Sequence, residues 1–145
     1  VPGDRTDIVI AVAEEAARIA GSAACVLLPL PPTPGEAAPE PVVRAAVPVE
    51  AEPDDGAMAA ARWAIANGRA AGRGTDTLPA SPWQFRPMRG SRSVVGLLGI
   101  KLPEEAGSLD AERSKALDAL LDQAVIALER ADLMEERARG EARSE

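Results

Sequence analysis

The chain has no histidine, a single cysteine and only 2% aromatic residues among its 145 positions. Without histidine it lacks both the commonest general base near neutral pH and the commonest transition-metal ligand. The one cysteine, Cys25, has no intramolecular disulfide partner, so nothing in the sequence calls for an oxidising compartment and a cytoplasmic setting is expected. Scarce aromatics against 46% apolar residues mean that the core must be built mainly from Ala, Val, Leu and Ile. No apolar run is long enough to cross a bilayer, and no signal peptide is evident, so no direct membrane insertion is expected. A net charge of -7 argues against a nucleic-acid partner. The length suits one domain, and the start at Val1 suggests a piece of a longer protein.

What is present reads as alternating helices and hairpins. Ile8, Val12, Ala16 and Ile19 recur at helical spacing, with Asp4 or Thr6 as cap and Gly21 as stop. The apolar run from Ala23 to Leu30 reads as a buried strand that leaves into a proline-rich loop, where the prolines from Pro29 to Pro41 oppose regular pairing. Val42 to Val49 is a second strand pairing back on the first. A second helix begins at Asp54 or Asp55, where acids suit the helix dipole, and ends at Asn67-Gly68.

"WQFRPM" alternates Trp83, Phe85 and Pro87 against Gln84, Arg86 and Met88, as a strand with two different faces does. After a turn at Arg89 to Ser91, Ser93 to Leu102 completes a hairpin, and Gly96 and Gly99 inside it suggest a bulge or a close approach. Ser108 is placed to cap a last helix, with Asp110 and Glu112 in its first turn and Leu117, Leu121, Ala124, Leu128 and Ala131 in its apolar stripe. From Asp110 to Gly140 this helix is about 45 Å long, more than a domain with a radius of gyration of about 15 Å needs. Its end is expected to project: the stripe packs on its own sheet or its distal part, from about Leu128 onward, pairs with a second copy, and the length favours some of each. The fold class is therefore α+β, an antiparallel sheet with helices packed on it.

Between the second helix and the second hairpin lies "AGRGTDTLP", Ala71 to Pro79. It is not a phosphate-binding P-loop, because the Gly-Lys-Ser/Thr ending is missing, and a third dinucleotide-motif glycine would fall on Thr77. Arg73 between two glycines, followed by Thr75, Asp76 and Thr77, offers a dense set of donors and acceptors to a ligand. The same residues suit a folded turn in which the side chains satisfy nearby backbone groups, and the residues alone favour that reading. Trp63, Trp83 and Phe85, with Arg62 or Arg73 for charge, offer the lining of a small-molecule pocket; the alternative is that they are core anchors. The paired acids Glu14-Glu15, Asp54-Asp55 and Glu135-Glu136 read as solvated helix faces or termini. No catalytic set, metal site or cofactor is expected.

The run "AARWAIANGRAAGRGTDTLP", with "WQFRPM", "VVGLLGI" and "LLDQAVIALERADL" after it, resembles the GAF domains of Kdp-type osmosensitive potassium sensor histidine kinases over Ala60 to Leu133. The resemblance implies a sheet of about five or six strands, the first and last helices together on one face, and a pocket on the other under the segment from Met58 to Leu78. It implies a non-catalytic sensor domain over residues 1–133, in the cytoplasm of a membrane-anchored kinase. Residues 134–145 then extend the last helix toward a kinase core, the domain's partner in the parent protein. A homodimer through the first and last helices is expected. An ion or small ligand near Arg62, Trp63, Arg73, Thr75, Asp76, Thr77, Trp83 and Phe85 would bias the last helix. The alternatives are a ligand-free dimerisation spacer, a nucleotide-binding GAF domain of another signalling protein, and a GAF-type methionine sulfoxide reductase. The last depends on several cysteines, and Cys25 stands alone.

Overall fold

Among the described residues three aspartates start three helices. In α1 (Arg5–Ala20) the Asp4 carboxylate accepts the Thr6 amide at 3.4 Å, and Gly21, at φ 68°, closes the helix by donating to the Ala17 carbonyl. In α2 (Asp55–Asn67) Asp54 accepts the Ala57 amide at 2.9 Å and Gly68 performs the same closure. In α3 (Ala111–Ser144) Asp110 accepts the Arg113 amide at 2.9 Å, so Asp110 is the cap rather than a first-turn residue. The expected cap Ser108 lies outside the described residues. The computed structural model describes residues 4–30, 35, 39–103 and 109–144.

Among these residues five strands form one antiparallel sheet: β1 (Ala24–Leu30), β2 (Glu40–Val47), β3 (Ala71–Gly72), β4 (Trp83–Arg89) and β5 (Val94–Lys101), in the order β2-β1-β5-β4-β3. Two expectations change here. The prolines do not prevent pairing at the open end of the first hairpin, because Pro29 faces Pro41 and Leu30 faces Glu40. β2 is an edge strand, and β1 pairs with β5 only over Ala24 to Leu27, so each proline has an unpaired side for its missing N–H. The second change is β3, a two-residue edge strand at the start of the segment expected to be loop.

Both faces of the sheet are covered, which explains why β1 and β5 read as unbroken apolar runs. α1 and α3 cover one face, where Val9, Val12, Ala13 and Ala16 meet Val26, Leu98, Ile100, Leu117, Leu121 and Leu128. α2 covers the other with Ala57, Ala60, Ala61 and Ala64 against Cys25, Leu27, Trp83, Phe85 and Leu97. The buried stripe of α1 is turned from the expected one: Ile8 and Ile19 are half-buried, while the smaller Val9, Ala13 and Ala20 are buried. Gly99 is a close approach, since a Cβ there would lie 2.8 Å from both Cys25 Sγ and Phe85 Cε1.

α3 runs 34 residues, about 51 Å at the standard rise. Its buried residues Leu117, Leu121, Ala124 and Leu128 follow the expected stripe. Arg5 on α1 reaches Asp132 at 3.3 Å and Glu135 at 3.4 Å, while Leu133, Met134 and the turn after them are exposed.

Candidate functional site

The loop after β3 is held by its own backbone and by one hydroxyl. Gly72 N–H donates to the Thr77 carbonyl at 2.8 Å, and Thr75 N–H to the Gly72 carbonyl at 3.1 Å. The Thr75 hydroxyl lies 2.8 Å and 2.9 Å from those same two carbonyls and accepts the Thr77 amide at 3.1 Å. Gly72 and Gly74 adopt φ 100° and 84°, which glycine tolerates, and Leu78 adopts φ 51°. The Arg73 guanidinium donates to the Leu102 carbonyl at 2.6 Å, anchoring the loop to the chain just beyond β5. Asp76 is exposed and takes part in none of these bonds.

From this loop a line of hydrogen bonds crosses β4 to α3. Gln84 Nε2 donates to the Arg73 carbonyl at 3.0 Å, and Gln84 Oε1 accepts from Arg86 Nε at 2.8 Å. The other Arg86 nitrogens donate to Asp118 Oδ1 at 3.0 Å and Ser114 Oγ at 3.3 Å, both on the early turns of α3. Gln84 is only 5% exposed, so its amide depends on these two partners. Burial lowers the Arg86 pKa and the Asp118 charge opposes that shift, yet a guanidinium stays protonated near neutral pH. A cavity of about 490 Å³ lies along this line, with Thr75, Gln84, Arg86, Asp118 and Asp122 among its lining residues.

The eight residues singled out from the sequence fall into three places. Arg73, Thr75, Asp76 and Thr77 share the loop, although Thr75 is occupied internally and Thr77 is bound through its backbone. Trp83 and Phe85 stack at 6.3 Å between ring centroids, buried beneath α2, with half-buried Trp63 packed against their cluster. Arg62 is drawn toward β2 by an exposed ion pair with Glu40 at 3.1 Å, a contact of little energetic weight. Gln84, Arg86, Ser114 and Asp118 were not among the candidates. Their one sequence signal was two polar residues on the same face of a strand that otherwise reads as core.

Cys25 is fully buried, and burial pushes its thiol up to about 12, with the Gly99 backbone hydrogen bond opposing and the Glu52 charge assisting. At neutral pH it is a thiol rather than a thiolate nucleophile. Among the described residues no three His, Cys, Asp or Glu side chains cluster as metal ligands, and no helix is long and apolar enough to cross a membrane.

Residues 6–130 match the family model of the GAF domain. The sensor protein KdpD of Clostridium acetobutylicum is 30% identical over 87 residues, which are 60% of this chain but only 9% of that protein's length. The GAF domain of the potassium sensor histidine kinase KdpD from Escherichia coli superimposes with a TM-score of 0.69 at 24% identity, covering 95% of this chain and 90% of that one. The second GAF domain of DevS from Mycobacterium smegmatis gives 0.66 at 23% identity, covering 92% of this chain and 99% of the other. These two likenesses agree in fold with the five-stranded sheet and its helices on both faces, and together with the family match they show that the chain belongs to the GAF domain family.

Proposed function

We propose that the chain is the non-catalytic regulatory module of a potassium-responsive sensor histidine kinase, located in the cytoplasm and acting on a kinase core through α3. The observation that carries this reading is the hydrogen-bonded line from the Arg73 carbonyl through Gln84 and Arg86 to Ser114 and Asp118 on α3. The similarity to sensor protein KdpD supports the choice of parent protein. In this reading residues 1–133 sense, and residues 134–145 continue the output helix. A dimer forms through α1 and α3, whose outer surfaces carry the exposed Ile10, Ile126 and Leu133. An ion or small ligand meets the loop at Asp76 and Thr77 and shifts α3 by favouring one of two loop arrangements, since a ligand that binds both equally shifts nothing.

Asp76 allows a clean test, because it is exposed and holds no part of the loop together. Asp76→Ala in the intact kinase should leave folding unchanged and alter the dependence of autophosphorylation on potassium. An unaltered potassium response with normal folding removes the loop from the sensing site. The second reading, a ligand-free dimerisation spacer, draws support from the internal use of the Thr75 hydroxyl. It predicts no thermal stabilisation by any ion or nucleotide, where a true ligand at about a hundred times its dissociation constant would add about 2.7 kcal/mol.

A further inference from the structure

Arg44 stands at an irregularity in the β1–β2 ladder. Val26 faces Ala45 and Leu27 faces Val43, which leaves Arg44 as an extra residue without a partner on β1. Such a bulge breaks the strict alternation of side chains. Counted back from Val47, which packs on the α1/α3 side, unbroken alternation would turn Arg44 toward α2. With the bulge, Arg44 instead lines a cavity of about 770 Å³ alongside Val9 and Leu28, between the first turn of α1 and residues 127–135 of α3. Arg130, exposed on α3, borders the same cavity.

The other charged groups around this cavity are engaged. Asp4 caps α1, and Arg5 pairs with Asp132 and Glu135, the latter also meeting Arg139 at 3.5 Å. Arg44 and Arg130 have no ion pair or hydrogen-bond partner among the described residues. Two exposed guanidinium groups without such a partner therefore stand at the rim of an apolar floor, in a chain whose net charge is -7. Guanidinium pairs suit carboxylate and phosphate oxygens, and the cavity has the size of ordinary small-molecule sites.

We propose that this cleft binds a small amphipathic acid, its phosphate or carboxylate held by Arg44 and Arg130 and its apolar body laid on Val9, Leu28, Ala131 and Met134. Met134 is 64% exposed at the rim, and its flexible thioether can close over such a body. The bound acid would join β2 to the part of α3 that leaves the domain. This site is separate from the loop at Asp76 and does not depend on it.

Calorimetric titration of the 145-residue chain tests the proposal, with octyl phosphate, octanoate, inorganic phosphate and phosphatidylglycerol vesicles as probes. Octyl phosphate or octanoate should bind saturably, and Arg44→Gln or Arg130→Gln should weaken that binding by about tenfold, the loss expected for one charged hydrogen bond. Arg92→Gln, at an exposed position outside the cleft, should bind as wild type does. Inorganic phosphate should bind more weakly than octyl phosphate. Arginine-dependent binding to vesicles as well as to octyl phosphate assigns the acid to a membrane lipid, and binding to the soluble probes alone assigns it to a free metabolite. The proposal is overturned if no amphipathic probe binds in an arginine-dependent way, or if inorganic phosphate binds as tightly as octyl phosphate. It is also overturned if the chain dimerises through the cleft, either variant weakens the dimer, and no probe binds. Circular dichroism of each variant separates lost binding from lost folding.

Discussion

Gly72→Ala is expected to undo the loop and to cost about 3 kcal/mol or more of stability in urea unfolding. Gly72 sits at φ 100°, and a Cβ on it would lie 1.9 Å from the Trp83 carbonyl oxygen and 3.0 Å from its carbon. Those atoms are backbone, so no side-chain rotation relieves the overlap. The chain must move there, and with it go the Arg73 N–H bond to the Trp83 carbonyl and the Gly72 N–H bond to Thr77. Gly21→Ala separates the two contributions. Gly21 has φ 68° and nothing within 4 Å of the place a methyl group would take, so its replacement should cost only the left-handed penalty of about 1 kcal/mol. Equal losses at the two positions would show that the close approach to Trp83 is unimportant.

Phe85→Ala should destabilise the domain by about 3–5 kcal/mol and lower Tm by on the order of 10 °C. Phe85 is fully buried on β4, between β5 and the short edge strand β3, stacked on Trp83 and covering the space that Gly99 leaves open. The α2 side chains that cover its cluster are four alanines, Ala57, Ala60, Ala61 and Ala64, and Ile65, and an alanine has no flexible side chain to move into the gap. The cavity term is therefore close to its full size, a large fraction of a typical total stability of about 5–15 kcal/mol. Trp63 lies half-buried at the edge of the same cluster, and Trp63→Ala should cost clearly less in the same thermal melt. A Phe85→Ala loss no larger than that of Trp63→Ala would mean that the aromatic cluster is not the anchor of this face.

The helices were legible because their ends are written locally. Asp4, Asp54, Gly21 and Gly68 act within one turn of their own positions, and the stripe through Leu117, Leu121, Ala124 and Leu128 spans enough turns to fix a face. Periodicity also separated Trp83 and Phe85 from Gln84 and Arg86 on the two sides of β4. It was a weaker guide in α1, where alanine is small enough to take either side of a stripe and packing against α3 decided the matter. β3 is too short to have a period. The bulge at Arg44 depends on how β2 registers with β1, information that neither strand carries alone. The candidate site was legible only as a loop, because its connection to α3 joins Arg86 to Asp118 across 32 positions of chain.

If the loop and the output helix are energetically one unit joined by Gln84 and Arg86, a double-mutant cycle in urea will show it. The pair is Thr75→Val, which removes the hydroxyl that holds the loop, and Asp118→Asn, at the α3 end of the line. With the line intact the two losses should be non-additive by about 0.5–1 kcal/mol, and the coupling should disappear in a Gln84→Leu background. Losses that add to within about 0.3 kcal/mol would refute the coupling and leave the loop and α3 as independent parts of one fold.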